Sequence, residues 1–211
     1  MTIEIKGSRF SLLHEKALYN DDTSLLIIAD VHLGKASHFR KAGIAIPANA
    51  QHNDHENLQL LFRRLAPAQV YFLGDLFHSS INSDWFRFCE LIGLFPQIKF
   101  TLIKGNHDLI NTKKFGELCI EVVDSIEEGN IIYTHAPMDR VPDGKVNIAG
   151  HIHPGITLSG PARQSIRLPC FYTTPSLVIL PAFGTLTGTY VMKRTSETTI
   201  YVVLPDRVTQ I

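Results

Sequence analysis

The chain has 211 residues, of which 45% are hydrophobic and 19% charged, and 20 Lys and Arg residues balance 20 Asp and Glu residues. This length predicts a single domain over residues 1–211 with a sizeable core, and the balanced charge neither indicates nor excludes a nucleic-acid partner. The sequence contains no apolar run of membrane-spanning length and no apolar signal segment, which predicts a protein without membrane contact. Three cysteines without a CxxC pair predict reduced, mostly buried thiols in a cytoplasmic protein.

Five short apolar segments each end in polar residues, and each is typical of a buried strand. They are SLLIIAD, VYFLGD, KFTLIKGNHD, IIYTHAP and VNIAGHIHP, which end at or near Asp30, Asp75, Asn106–Asp108, His135 and His151–His153. Functional groups collect where the strands of such folds end and the loops begin. One such ending would mean little, but five of them predict one convergent site.

Helical patterns lie between the early strands. Residues 49–66 place Leu58, Leu61, Phe62 and Leu65 on one helical face. Residues 82–95 begin with Asn82 or Ser83 as the N-cap and place Trp85, Phe88, Cys89 and Ile92 on one stripe. From about Arg167 onwards the chain alternates apolar and polar residues, which predicts several antiparallel strands. Together these elements predict an α/β fold in which two packed sheets are flanked by helices.

The polar residues at the five strand ends are typical of metal ligands. They include carboxylates, imidazoles and an amide but no thiolate, a set that suits Mn²⁺, Fe or Zn²⁺ better than a structural zinc cluster. In extended backbone, residues i and i+2 point to the same side, so Asp30 and His32 should address one region, as should His151 and His153. There are too many ligands for one ion. Asp75 is a candidate bridge between two ions, which would lie about 3.5–4 Å apart.

The motifs DVHLGK, GDLFHS, GNHD, THAP and GHIH occur in the order seen in the calcineurin-like metallophosphoesterase superfamily, which the chain therefore resembles. The resemblance implies a four-layer αββα sandwich of two mixed sheets flanked by helices. It also implies a site for two divalent metal ions, with Mn²⁺ expected first and Fe or Zn²⁺ as alternatives. By the matching motifs, the first metal would be held by Asp30, His32, Asp75 and His153. The second would be held by Asp75, Asn106, His135 and His151.

The same resemblance implies roles for residues that do not bind metal. His107 would contact the scissile phosphate and assist the leaving group, and Asp108 would support the site from behind. GDLFHSS lacks the Asp-Arg-Gly sequence of the protein Ser/Thr phosphatases, which argues against that branch. GDLFH is instead similar to the double-strand-break repair nuclease branch, in which His78 would orient His107. The alternative for His78 is an ordinary solvent-facing loop histidine.

DVHLGKASHFRKAGIAIP resembles the bacterial DNA ligase-associated metallophosphoesterases, and the chain is identified as a member of that family. The implied function is a dimetal phosphodiesterase or endonuclease acting on single-stranded or damaged DNA in repair, by attack of a metal-bridging hydroxide with His107 assisting. DNA ligase or helicase partners follow from the same resemblance. An apolar sheet edge in the tail could also pair two copies as a homodimer. One alternative is a phosphoesterase for cyclic nucleotides or phosphomonoesters, and the other is a partner-binding scaffold without activity.

Substrate contacts are expected in the segment beside the first metal motif. Lys35, Arg40 and Lys41 supply cations for phosphate groups, and His38 lies close enough in sequence to reach the substrate. The alternative for such a short basic run is a solvated face. A similar choice applies to residues 52–55, where two histidines at helical spacing could chelate a metal but are expected to lie on a solvated helix face.

Overall fold

The structure, a computed structural model, describes residues 1–36, 39, 43, 49–78, 81–106, 108, 110–161 and 164–211, and for residues 49–53 it describes the backbone alone. Two mixed sheets form the centre of the fold. The first sheet has seven strands in sequence order. These are β1 (Thr2–Ile5), β2 (Ser8–Leu12), β3 (Leu18–Asn20), β4 (Leu25–Ile28), β5 (Gln69–Leu73), β6 (Lys99–Ile103) and β7 (Glu121–Val123). Strands β1 to β4 pair antiparallel, whereas β4 to β7 pair parallel.

The second sheet has nine strands, in the order β14-β11-β12-β13-β10-β9-β8, with β15 paired to β12 and β16 paired to β15. These strands are β8 (Ile126–Glu128), β9 (Ile131–Thr134), β10 (Val146–Ala149), β11 (Pro154–Ser159), β12 (Ser165–Thr174), β13 (Leu177–Ile179), β14 (Tyr190–Val191), β15 (Thr199–Val203) and β16 (Val208–Gln210). Strand β10 runs parallel to both β9 and β13. Parallel strands therefore occupy the centre of this sheet as well.

The main core lies between the two sheets. One cluster of buried apolar residues joins strands β1 to β6 with strands of the second sheet, and it includes Phe10, Ile27, Tyr133, Ile148 and Phe171. Every residue of β4 and of β10 is buried. Strands covered on both faces appear in sequence as mostly apolar runs. The segment LLII of β4 has that pattern, and so does VNIA of β10 apart from the buried Asn147.

Helices cover the other face of the first sheet. Helix α1 spans Asn49–Leu65, α2 spans Ser83–Gly93 and α3 spans Thr112–Gly116. Their apolar residues join a second core cluster, with Phe62 from α1, Phe88 from α2 and Phe115 from α3. Asn82 is the N-cap of α2, and its side chain accepts a hydrogen bond from the Asp84 amide at 2.8 Å. The predicted α/β fold of two mixed sheets with flanking helices is confirmed.

Several finer predictions need correction. Cys119 is exposed and Cys89 only partly buried, so Cys170 alone among the three cysteines is a core thiol. His55 does not lie on a solvated face, because its side chain is largely buried with Nε2 3.7 Å from Asp84 Oδ1. The tail forms the predicted antiparallel pairs, but β13 and β14 also pair parallel with β10 and β11. Among the described residues, no helix combines the length and apolar character needed to cross a membrane.

Candidate metal centre

The loops after β4 and β5 continue side by side beyond the ends of their strands. The Asp30 amide donates to the Gly74 carbonyl oxygen at 3.3 Å, and the His32 amide donates to the Asp75 carbonyl oxygen at 2.9 Å. The Leu33 amide then donates to the Leu76 carbonyl oxygen at 2.9 Å. These bonds extend the parallel register of the strands into the loops. They place the polar residues of both loops at the same edge of the sheet.

The first group of candidate ligands consists of Asp30, His32 and His153. One ligand atom from each lies within 4.8 Å of the other two. His153 Nε2 lies 3.3 Å from Asp30 Oδ1, and the rings of His32 and His153 meet edge to face with centroids 5.4 Å apart. Asp30 is fully buried and His32 nearly so. The three side chains thus converge on one enclosed point, although they come from opposite sheets.

The second group consists of Asp75, His135 and His151, whose ligand atoms also lie within 4.8 Å of one another. His135 Nδ1 lies 2.8 Å from the Leu73 carbonyl oxygen, and this contact makes Nδ1 the protonated nitrogen. The lone pair on His135 Nε2 then faces the group, 3.6 Å from Asp75 Oδ1 and 3.1 Å from His151 Nδ1. A backbone contact that orients the far nitrogen of an imidazole is typical of metal-binding histidines.

Asp75 links the second group, to which it belongs, with the first group. Its Oδ1 faces His135 of the second group at 3.6 Å, and its Oδ2 faces His32 of the first group at 3.7 Å. Asp30 makes a second link, because its Oδ2 accepts a hydrogen bond from the His151 amide at 2.8 Å. The two groups therefore form one continuous centre, and the carboxylate of Asp75 presents one oxygen to each half.

The backbone at this centre is strained. Asp30, His32, Asp75, His151 and His153 all have positive φ angles, between 49° and 69°. For residues with a side chain this left-handed conformation is uncommon, and at such sites it costs about 1–3 kcal/mol each. The extended geometry predicted for the Asp30–His32 and His151–His153 pairs is therefore wrong. His151 and His153 join different groups, whereas Asp30 and His32 join the same group, although all four residues have left-handed backbone.

Two glycines permit the close packing of this centre. A Cβ on Gly150 would lie 2.6 Å from Asp30 Oδ2, and a Cβ on Gly74 would lie 2.2 Å from His135 Nδ1. Either distance is too short for a carbon atom. The role of Gly74 was not anticipated from the sequence, although a glycine directly before a ligand candidate in GD, GN and GH was the available signal.

Asp108 supports the Asp75 loop from behind. Its Oδ2 accepts hydrogen bonds from the Asp75 amide at 2.9 Å and the Gly105 amide at 2.8 Å. Its Oδ1 accepts from the Leu76 amide at 2.9 Å and, at 3.4 Å, from the Phe77 amide. Burial raises the pKa of the Asp108 carboxyl, whereas these N–H donors act in the opposite direction.

The centre has the properties of a divalent metal site. In the described part of the chain, Asp30 Oδ1 and His153 Nε2 are buried and form no hydrogen bond, although they lie 3.3 Å apart. A cation bound between them would satisfy both atoms, because buried polar atoms without a partner are costly. Burial lowers the pKa of His32 to about 3, which keeps the imidazole neutral as metal binding requires. Carboxylate and imidazole donors suit Mn²⁺, Fe and Zn²⁺.

The other predicted site residues lie around this centre or outside the described residues. Asn106 is exposed in the turn after Gly105. The His78 ring lies edge to face with His32 at 5.6 Å, and the Lys35 amide donates to the His32 carbonyl oxygen at 3.2 Å. Four predicted residues lie outside the described residues, namely His107, His38, Arg40 and Lys41.

Comparisons with known proteins give a family match and a similar fold. The family described as calcineurin-like phosphoesterase matches residues 23–138, a range that contains four of the five motifs. A comparison with curated proteins found no match. The chain is similar to the crystal structure of Pseudomonas putida nuclease MPE, with 27% sequence identity and a TM-score of 0.80 over 100% of this chain and 99% of that chain. A second solved structure, Yfce, a phosphoesterase from E. coli, has 12% identity and a TM-score of 0.44 over 89% and 97%.

Proposed function

Because the chain belongs to the calcineurin-like phosphoesterase family, we propose that it is a phosphodiesterase that cleaves nucleic acid, with single-stranded or damaged DNA in repair as its substrate. The observation that carries this proposal is the presence of two adjacent carboxylate–histidine groups, which the carboxylate of Asp75 links. Similarity over the full length to a nuclease favours nucleic acid over other phosphoesters.

We propose Mn²⁺ as the metal at both positions. Asp30, His32 and His153 would hold one ion, and His135 and His151 the other, with Asp75 shared between them. Asn106 would complete the second position through its amide oxygen. Two divalent cations, when bound, would supply Lewis-acid polarisation of the phosphate and a water nucleophile of lowered pKa.

The side chains around the metals would position and protonate the substrate. His107 lies directly between Asn106 and Asp108 in the sequence, and it would donate a proton to the departing oxygen. Asp108 would hold the Asp75 loop through its four backbone contacts. His78 packs against His32, and it would orient His107. No side-chain nucleophile is required in this scheme.

Binding of the phosphate backbone would depend on the segment that begins at Lys35. Burial lowers the pKa of Lys35, whereas the negative charges of Asp30 and Asp75 act in the opposite direction. A cation there would contact a phosphate held by the metals. Arg40, Lys41 and His38 would extend the contact along the strand. Activity should then fall with added salt, because phosphate contacts by Lys and Arg release counterions.

The test is an assay of metal-free protein reloaded with Mn²⁺, on a labelled single-stranded oligonucleotide and on the matched duplex. Bis-p-nitrophenyl phosphate serves as the small diester. Asp75→Asn is the matched control, because it keeps the shape of the side chain but removes its charge and one of its two oxygens. Cleavage by the wild-type protein that disappears in Asp75→Asn supports the nuclease proposal and excludes a contaminant.

Each other outcome points to a different function. Hydrolysis of the small diester without cleavage of DNA would refute the nuclease and leave the phosphodiesterase. Preference for 2′,3′-cyclic nucleotides or phosphomonoesters would indicate a small-molecule enzyme. Absence of bound metal together with absence of hydrolysis would indicate a scaffold. DNA ligase or helicase partners, a homodimer and a cytoplasmic location stay predictions, and light scattering after size-exclusion chromatography tests the homodimer.

A further inference from the structure

Three segments that are distant in sequence meet beside the loop that carries Asp30 and His32, here called the first metal loop. Lys16 lies in the turn between β2 and β3, and its Nζ donates to the carbonyl oxygens of Phe183 and, at 3.5 Å, of Gly184. Asp54 lies on α1, is buried, and accepts the Thr185 amide at 3.1 Å and 3.3 Å through its two oxygens. We call Lys16 and Asp54 the Lys16–Asp54 anchor. Together they hold the main chain of residues 183–185. Lys16 donates to two of its carbonyl oxygens, and Asp54 accepts from one of its amides.

Residues 183–184 are in turn bonded to the first metal loop. The Phe183 amide donates to the Ala29 carbonyl oxygen at 2.9 Å, and the Gly184 amide donates to the Asp30 carbonyl oxygen at 3.1 Å. The approach is so close that a Cβ on Gly184 would lie 2.4 Å from the Val31 carbonyl oxygen. Movement of residues 183–184 therefore moves the backbone of Asp30.

The first metal loop needs such external support. Asp30 and His32 have φ angles of 53° and 50°, and strained residues persist only where their surroundings hold them in place. Asp54 also lines a small cleft together with His32, Lys35 and Gly184. The anchor thus reaches the loop through hydrogen bonds and through shared packing.

We propose that Lys16 and Asp54 are positioning residues, which hold residues 183–185 and thereby keep Asp30 and His32 in the geometry that binds the first metal. The proposal rests on the proposed metal centre, because it assigns a role toward an ion held there. Neither residue belongs to the ligand groups, and neither occurs in the five sequence motifs.

The chemistry of the pair favours positioning over stability. Burial lowers the pKa of Lys16 to about 8 and raises the pKa of Asp54 to about 6, and in each case the partner's charge only partly offsets the effect of burial. Both groups are therefore kept charged at neutral pH against the preference of their surroundings. Lys16 donates to the carbonyl oxygens of Phe183 and Gly184, and Asp54 accepts from the Thr185 amide, so both charges are directed at the main chain that contacts the Asp30 loop. A positioning role requires such contacts.

The experiment measures binding of Mn²⁺ to metal-free protein by calorimetry, and electron paramagnetic resonance distinguishes an isolated ion from two coupled ions. The main variant is Lys16→Met combined with Asp54→Leu, which replaces the pair by apolar side chains of similar volume. Asp54→Asn is the conservative variant, because its Oδ1 can still accept the Thr185 amide. The matched control is Lys145→Met combined with Glu127→Leu, an ion pair at the far end of β10 from the metal centre.

We expect the main variant to bind one of its two ions about tenfold more weakly and the other with unchanged affinity, whatever shift in Tm the lost backbone contacts cause, since residues behind metal ligands typically have effects of that size. Asp54→Asn should restore most of the affinity, and the control pair should match the wild-type protein. In a His151→Ala background, which disables the second group, the weakening should persist. In a His153→Ala background, which disables the first group, it should disappear.

Two results would overturn the positioning role. One is unchanged affinity for both ions in the main variant. The other is a loss of affinity at both positions in proportion to a lower Tm, which would mean that the pair only stabilises the fold. Failure of the wild-type protein to bind two ions would overturn the metal centre itself, and this inference with it. Because the wild-type titration is read first, the two failures are distinguishable.

Discussion

Replacing Asp108 by asparagine should destabilise the protein, although the side chain keeps its shape. Both carboxylate oxygens of Asp108 accept backbone N–H groups, and all four donors come from the two loops that meet at this residue. An asparagine amide has a single oxygen. Whichever way it is oriented, its NH₂ group faces two N–H donors and the negative charge is lost.

The expected magnitude follows from the four distances. The less costly orientation puts the NH₂ group at the Oδ1 position, where the two contacts are 2.9 Å and 3.4 Å, and keeps the oxygen at the Oδ2 position, where they are 2.9 Å and 2.8 Å. One good hydrogen bond to a charged group, worth about 1.5–3 kcal/mol, is then lost, and its buried donor is left without an acceptor. We expect the free energy of unfolding to fall by about 3 kcal/mol. In a chain of this size that corresponds to a Tm lower by about 6–12 °C.

The assay is thermal and urea unfolding of the metal-free protein in a chelating buffer at pH 8, followed by circular dichroism. Asp143→Asn makes the same chemical change at an exposed position, and it should alter stability by no more than about 0.5 kcal/mol. A loss below about 1 kcal/mol in Asp108→Asn would refute the reasoning, because the four backbone contacts would then contribute too little to hold the Asp75 loop.

Three further predictions concern other parts of the molecule. Gly150→Ala places a Cβ 2.6 Å from Asp30 Oδ2, so it should lower the free energy of unfolding by about 1–3 kcal/mol and weaken Mn²⁺ binding in calorimetry. Gly160→Ala is the control, because the space around Gly160 is open, and it should have neither effect. His107→Ala should retain both metals in elemental analysis yet hydrolyse bis-p-nitrophenyl phosphate at least about 100-fold more slowly, and near-normal turnover would contradict its role. Burial raises the pKa of Asp54 from 3.8 to about 6, so the folded protein takes up this proton more readily than the unfolded chain. The free energy of unfolding of the metal-free wild-type protein, relative to that of Asp54→Asn, should therefore rise by up to about 3 kcal/mol as the pH falls from 6 to 4. Urea unfolding measures this difference, and a difference that does not change with pH would show that burial of Asp54 has no such effect.

The sequence by itself determined the class of fold and the chemistry of the candidate site. The strands β4, β5, β6, β9 and β10 are recognisable because strands buried on both faces are mostly apolar, and a polar residue at the end of such a run marks the point where the chain leaves the core. Ligand type is likewise a local property, since carboxylates and imidazoles in the absence of thiolates already limit the metals that can bind.

Sequence reasoning was least reliable where a side chain's surroundings come from a distant part of the chain. The charged neighbours of His55 in sequence favoured a solvated helix face, but its side chain packs against Asp84 at the start of the next helix. Cys119 lies between Leu118 and Ile120, yet it has a φ angle of 58° in an exposed turn. The solvent exposure of a residue depends on which residues pack against it. Neighbours in sequence predict that exposure only within a regular helix or strand.

The tertiary structure decided the backbone geometry of the candidate centre, which the motifs alone did not predict. His151 and His153 are two residues apart in the sequence and both have left-handed backbone, yet one lies beside Asp75 and the other beside Asp30. The support of Asp30 by residues 183–185, and of those residues by Lys16 and Asp54, joins positions separated by more than a hundred residues. Such contacts leave no local pattern, because they depend on how the two sheets and α1 pack against one another rather than on any single element.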